Sequence, residues 1–187
     1  MLPIVDIAGL VPGASKGEGL GNAFLSHIKE VDGIYHVLRA FDDPNVTHTE
    51  NEVDPVRDVQ IIATELALKD LEYCNNRIED CEKKIKRNND KEAREEKELL
   101  TKVIAMLEAN KWVRLGDWKA DEIALLNTHR LLTAKPVVYL VNLSAADFLA
   151  KKNKFLVHIK NWITANIPGE IIPYSAEHEL KLSLEPQ

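Results

Sequence analysis

Apolar residues along this chain follow two periods, and the switches between them outline its architecture. Leu2-Pro3-Ile4-Val5-Asp6-Ile7 is a short apolar run bounded by glycines, the pattern of a buried strand feeding a loop, with Pro3 confined to the strand's start or edge. Asn22 to Glu30 then steps as a helix with Phe24, Leu25 and Ile28 inward, and Gly33 to Arg39 returns to a strand pattern. Asp54-Pro55 has the form of a helix start, an Asp cap followed by Pro at the first helical position. From there to about Arg87, Leu71, Cys74, Ile78, Cys81 and Ile85 step by three and four, which makes a coiled-coil seam. Asn88-Asn89-Asp90 interrupts it, and Lys91 to Asn110 carries Leu100, Val103 and Leu107 at the same spacing, so the pattern predicts an antiparallel helical hairpin.

Beyond the hairpin the pattern predicts a helix over Asp121 to Leu132. Lys135-Pro136 then leads into Val137-Val138-Tyr139-Leu140-Val141-Asn142, an uncharged β-branched run typical of a central parallel strand. A single helix is expected from Ala146 to Asn166, stopped by Pro168-Gly169, with a last strand from Glu170 to Tyr174. Strands alternating with helices predict a doubly wound parallel sheet interrupted by the hairpin.

Composition narrows this picture only a little. The 187 residues, 45% hydrophobic and 29% charged, are enough for one domain with a core plus one insertion. A net charge of −6 gives no long-range attraction for phosphate backbones, and no DNA partner is expected. The mixed charges from Arg77 to Glu98 read as a solvated helical surface, with a docking surface as the alternative. Cys74 and Cys81 form neither a C-x-x-C pair nor a metal cluster, and they are expected as buried thiols on the seam of a protein in a reducing, cytoplasmic compartment. No apolar run approaches the roughly 18 to 20 residues that span a bilayer, so no membrane partner is expected.

In open α/β sheets, ligands sit beyond the carboxyl ends of the strands. Three such ends carry candidate chemistry. Asp6-Ile7-Ala8-Gly9 has the D-x-x-G form, in which the acid helps hold Mg²⁺ and the glycine lets the loop approach a γ-phosphate. Five of the chain's eight glycines follow between Gly9 and Gly21, where backbone freedom or close approach to a ligand is required. Asn142-Leu143-Ser144-Ala145 stands where an Asn side chain would read a nucleotide base. A guanine reader would have a carboxylate at position 145 to accept from the base's N1–H and amine, but Ala145 is there, and Asp147 comes two residues too late. Tyr174-Ser175-Ala176 is a small-residue turn able to bring backbone N–H groups and a hydroxyl to a base or ribose. Each of these also has a purely structural reading, as turn former or helix cap.

Taken together, the segments Val5 to Ile28 (VDIAGLVPGASKGEGLGNAFLSHI), Asp54-Pro55-Val56-Arg57-Asp58 and Val138 to Leu143 (VYLVNL) resemble the switch II region, the start of the coiled-coil insertion and the base-recognition strand of YchF-type Obg-like ATPases, within the Obg family of P-loop NTPases. That resemblance implies an α/β fold with part of a doubly wound P-loop NTPase sheet, interrupted by an antiparallel α-helical coiled coil. Its implied divisions are residues 1–53 (the switch II half), 54–112 (the coiled coil) and 113–187 (the base-binding half). It implies an enzyme that binds and hydrolyses ATP with Mg²⁺ and works with the ribosome or other translation components. Asp6 (indirectly to Mg²⁺), Gly9 and Leu10 would belong to switch II, with Leu10 where many GTPases keep a catalytic Gln; Asn142, Leu143, Ser175 and Ala176 would bind the nucleotide. The family's usual N-x-x-E departs here to Ala145. No G-x-x-x-x-G-K-[ST] occurs in the chain, so a fragment without the P-loop and the C-terminal domain is expected, and no residue is assigned as catalytic. The alternative is a non-catalytic module that docks through its coiled coil.

Overall fold

The computed structural model describes residues 3–6, 28–43, 46 and 52–184. These fall into two compact units, one drawn from Met1–Asp32 and Ile62–Lys135, the other from Gly33–Ile61 and Pro136–Gln187.

The first unit is helical. Helix α1 (Pro55–Asn88), whose opening turns count with the second unit, starts where Asp54 Oδ1 accepts from the N–H groups of Val56 and Arg57, both at 3.1 Å. It stops at Asn89, which takes a left-handed backbone (φ 55°) that Asn tolerates better than most residues. Asp90 then caps α2 (Lys91–Glu108) by accepting from Ala93 N at 3.1 Å. The two helices close on Cys74, Leu99, Leu100, Val103 and Leu107, joined by Val113, Leu126 and Leu131 from the following segment. Both cysteines are free and buried on this seam, as the periodicity predicts, and burial pushes the Cys74 thiol up to about 12. Two polar groups inside the unit are held by several hydrogen bonds each: Asp70 accepts from Leu132 N (2.9 Å), Thr133 N (2.8 Å) and Thr133 Oγ1 (2.7 Å), while Arg77 forks onto Glu96 at 2.5 and 3.1 Å.

Helix α3 (Ala120–His129) is shorter than the expected span to Leu132. Arg130 turns left-handed (φ 49°), and Leu132–Ala134 forms a separate 3-10 turn whose first N–H groups Asp70 satisfies.

The second unit holds a parallel sheet of β1 (Ile34–Arg39), β2 (Val137–Asn142) and β3 (Glu170–Tyr174), in that spatial order. Registers Val37↔Leu140↔Ile172 and Leu38↔Val141↔Pro173 assign the two faces. Leu38, Tyr139 and Val141 are buried on one; on the other, Tyr35 is 50%, Val37 57% and Ile172 43% exposed. Gly169 is required before β3, since a Cβ there would meet Val137 O at 2.8 Å and the Tyr139 ring at 2.9 Å.

Three expectations need correction. Residues 3–6 are not a strand: Ile4 is 73% and Val5 56% exposed, and they make no ladder with any described residue, without which an apolar run cannot be a strand. The helix expected over Ala146 to Asn166 is two helices, α4 (Ala145–Ala150) and α5 (Leu156–Asn166). Lys151 is left-handed (φ 53°) between them, and Asn153 holds the break by donating to Ala40 O at 2.8 Å and Asp147 Oδ2 at 2.7 Å. A further helix, α6 (Ala176–Leu184), follows β3 where none is expected. Of the helix read from Asn22 to Glu30, only residues 28–30 are described, and they are helical.

Candidate functional site

Parallel pairing brings the carboxyl ends of all three strands to one end of the second unit, where the turns after β2 and β3 are stitched together. Leu143 N donates to Tyr174 O at 2.8 Å, and Ala176 N donates to Asn142 Oδ1 at 3.0 Å. Ala40 N, just past β1, donates to Asn142 O at 2.9 Å. Asn142, Leu143, Ser175 and Ala176 are therefore neighbours, although more than 30 residues separate the two turns.

Their side chains differ in what they can offer a ligand. Asn142 is half-buried, and because its Oδ1 accepts from Ala176 N, its Nδ2 remains as the donor. Leu143 is 3% exposed, so its side chain belongs to the core. Ser175 is fully buried, and its Oγ accepts from His178 N at 3.3 Å, capping α6. Ala176 offers only backbone and a methyl. Ser144 caps α4 by accepting from Asp147 N at 3.1 Å, which explains a serine directly after the strand.

Residues that the sequence reading did not single out complete this end. Glu177 Oε2 accepts from Ala145 N at 3.1 Å, and its Oε1 accepts from Lys181 Nζ at 2.6 Å. Lys181 first, then the Ala145 N–H, hold the Glu177 carboxylate below its usual range. Beside β1, Ala40, Phe41, Asp42, Asp147, Asn153 and Phe155 line a cavity of about 390 Å³. Asp147, too late in the sequence to read a base as its neighbours would, here anchors Asn153.

The remaining candidates lie elsewhere. Asp6 is exposed, with no metal-binding group of three or more His, Cys, Asp or Glu among the described residues. A lone exposed carboxylate does not make a Mg²⁺ site by itself. Gly9 and Leu10 lie outside the described residues. Among the described residues, no helix is long and apolar enough to cross a membrane.

The family model described as 50S ribosome-binding GTPase matches residues 2–77. An "Obg-like ATPase 1" of Oryza sativa subsp. indica is 58% identical over 97% of this chain and 46% of its own length, and that of Homo sapiens is 50% identical over the same shares. The solved structure of the Schizosaccharomyces pombe YchF GTPase superposes with a TM-score of 0.81 at 44% identity, over 90% of this chain and 46% of that one. The fold is thus the α/β fold of P-loop GTPases, represented here by a three-stranded parallel sheet. Spanning about half the length of these curated relatives, the chain belongs to the Obg-like ATPase family of the YchF type.

Proposed function

We propose that this chain carries the base-reading end of an Obg-like nucleotide-binding domain, and that in its full-length form the protein binds and hydrolyses ATP. The observation that carries the reading is the junction of the two turns, where Asn142 keeps a free donor at the carboxyl end of the central strand while its oxygen is fixed by Ala176. Asn142 and the backbone of Leu143 contact the base, and the Ser175-Ala176 turn closes beside it. Asp6, Gly9 and Leu10 belong to switch II, Asp6 acting on Mg²⁺ only indirectly. Mg²⁺ accompanies the ATP and neutralises phosphate charge. Leu10 cannot orient an attacking water, so hydrolysis depends on how the phosphates are held. The proposed division is residues 1–53 and 113–187 for the nucleotide-binding domain and 54–112 for a coiled-coil insertion, in a cytoplasmic protein. Translation is the setting that the family model's description, a 50S ribosome-binding GTPase, supports.

Nucleotide titration of the chain tests this, followed by nuclear magnetic resonance at the Asn142 and Ala176 amides. Millimolar ATP is expected to shift both, with no Mg²⁺-dependent turnover, because the chain contains no G-x-x-x-x-G-K-[ST] to cradle the phosphates. Unmoved amides would remove the base site, and turnover abolished by Asp6→Ala would overturn the inactivity of the chain alone.

A second reading, a non-catalytic coiled-coil docking module, has one observation in its favour. At the hairpin tip, Lys83, Lys84, Lys86, Arg87, Lys91 and Arg94 are all exposed. Lys91 and Arg94 stand near the start of α2, where the helix dipole disfavours cations, while Lys91 also pairs with Glu95 one turn on (3.6 Å) and Arg94 donates to Asn89 Oδ1. Under that reading ATP leaves every amide of the second unit unmoved.

A further inference from the structure

The site proposed above lacks a side chain that accepts from the base, since Ala145 stands where guanine readers place a carboxylate. The fold nonetheless brings a carboxylate to the backbone N–H of Ala145 from another element. Glu177, in the first turn of α6, reaches across 32 residues of sequence to the backbone of Ala145. We propose that Glu177 is the specificity residue of this base site: with the ring N7 held by Asn142 Nδ2, its carboxylate faces position 6 of the purine and selects adenine. The inference rests on the base-site reading and adds to it the residue that chooses the base.

The chemistry follows from what each group has already spent. Asn142 uses its oxygen on Ala176 N and keeps a donor. Glu177 uses one lone pair on Ala145 N and one on Lys181, which leaves acceptor capacity on both oxygens, and its side chain is 55% exposed. The turn therefore presents one donor and one acceptor. Adenine shows the complement, an N7 acceptor beside an N6 amine, whereas guanine shows two acceptors, N7 and O6. Guanine bound the same way would set its carbonyl oxygen against the carboxylate, and that repulsion discriminates as effectively as the attraction. The Lys181 ammonium and the Ala145 N–H keep Glu177 ionised at neutral pH, in the acceptor-only form that this role needs.

A merely structural role for Glu177, capping α4 and pairing with Lys181, would change stability and leave base preference alone. Titration of the 187-residue chain with adenosine, guanosine and N6,N6-dimethyladenosine separates the two, because nucleosides need no phosphate cradle. The Ala145 and Ala176 amides report binding. Adenosine is expected to bind about tenfold tighter than guanosine, the scale of one hydrogen bond to a charged group. Dimethyladenosine, which has lost both N6 protons, is expected to fall to the guanosine level. Glu177→Ala should erase the preference. Dimethyladenosine binding as tightly as adenosine overturns the proposal without any variant having to fold, as does a preference that survives Glu177→Ala in a chain of unchanged circular dichroism. Equal affinity for adenosine and guanosine removes this role from Glu177 and leaves the base site standing. If no nucleoside moves these amides, the base site falls and this inference falls with it.

Discussion

The helical unit and the sheet unit solve the burial problem to different degrees. In the helical unit, α1 and α2 enclose Leu100, Val103 and Cys74 at 0% exposure, and the polar groups drawn inside, Asp70 and the Arg77–Glu96 pair, have their partners within the same unit. In the sheet unit, one face buries Leu38 and Val141, while the other leaves Tyr35, Val37 and Ile172 largely open among the described residues. Parallel sheets are normally covered on both faces, so that open face marks the unit that depends on further cover. The hairpin is assembled from near-neighbour contacts and can hold itself together; the sheet pairs β1 with β2 across about a hundred residues and gains less for doing so.

The sharpest way to break this contrast is to remove the polar anchor of the helical unit. Asp70 takes three hydrogen bonds from Leu132 and Thr133, both buried. Each buried donor left without an acceptor costs about 1 to 3 kcal/mol, offset in part by relieving the burial that pushes the Asp70 carboxyl up. Asp70→Ala is expected to lose about 3 to 5 kcal/mol in urea unfolding followed at the hairpin, and Asp70→Asn less, since one amide oxygen can serve only some of the donors. A loss under about 1 kcal/mol would show that the 3-10 turn finds other acceptors.

A paired substitution sharpens the comparison at smaller scale. Leu100→Ala in the hairpin core is expected to cost about 3 kcal/mol, from lost transfer energy and the cavity left behind. Val37→Thr, on the open face of the sheet, is expected to change stability by less than about 0.5 kcal/mol. A Val37→Thr cost approaching that of Leu100→Ala would mean that the face is covered in solution.

What the sequence made legible follows the same divide between local and distant causes. The buried thiols at Cys74 and Cys81, the Asp54 cap, the break at Asn88-Asn89-Asp90 and the strand from Val137 to Asn142 are all written in spacings of a few residues, and the structure carries them. The break in the expected Ala146 to Asn166 helix was not legible, because it depends on Asn153 reaching Ala40, more than a hundred positions away. The opening apolar run looked like a strand because composition alone cannot say whether a partner edge is present. At the candidate site, Asn142 and the Ser175-Ala176 turn could be chosen from the rule that ligands sit at strand ends. Glu177 could not, since only the folded turn brings it to Ala145.

The smallest expected effect concerns charge inside the helical unit. His129 is 4% exposed, its Nδ1 lies 3.0 Å from Tyr73 Oη, and its Nε2 stands 3.7 Å from Glu96 Oε1 without a hydrogen bond from any described residue. Burial is the largest influence and lowers its pKa; the Glu96 charge opposes this, while Arg77 and Lys29 add to it. A depressed histidine pKa means that the unfolded chain binds the proton more readily than the fold does. The stabilising contribution is therefore fully present above the unfolded value of about 6.5 and is lost as pH falls through the folded one. Between pH 6.5 and 5.5 the loss is at most about 1.4 kcal/mol. His36 in the sheet unit, lowered to about 4 by burial, acts in the same direction, so the comparison must be made within one unit. Urea midpoints of the hairpin, measured from pH 7.5 down to 5.5 in wild type and His129→Gln, supply it: the wild-type midpoint should fall more steeply. Parallel pH profiles would mean that Glu96 compensates the buried imidazolium and that the hairpin interior carries no net proton penalty.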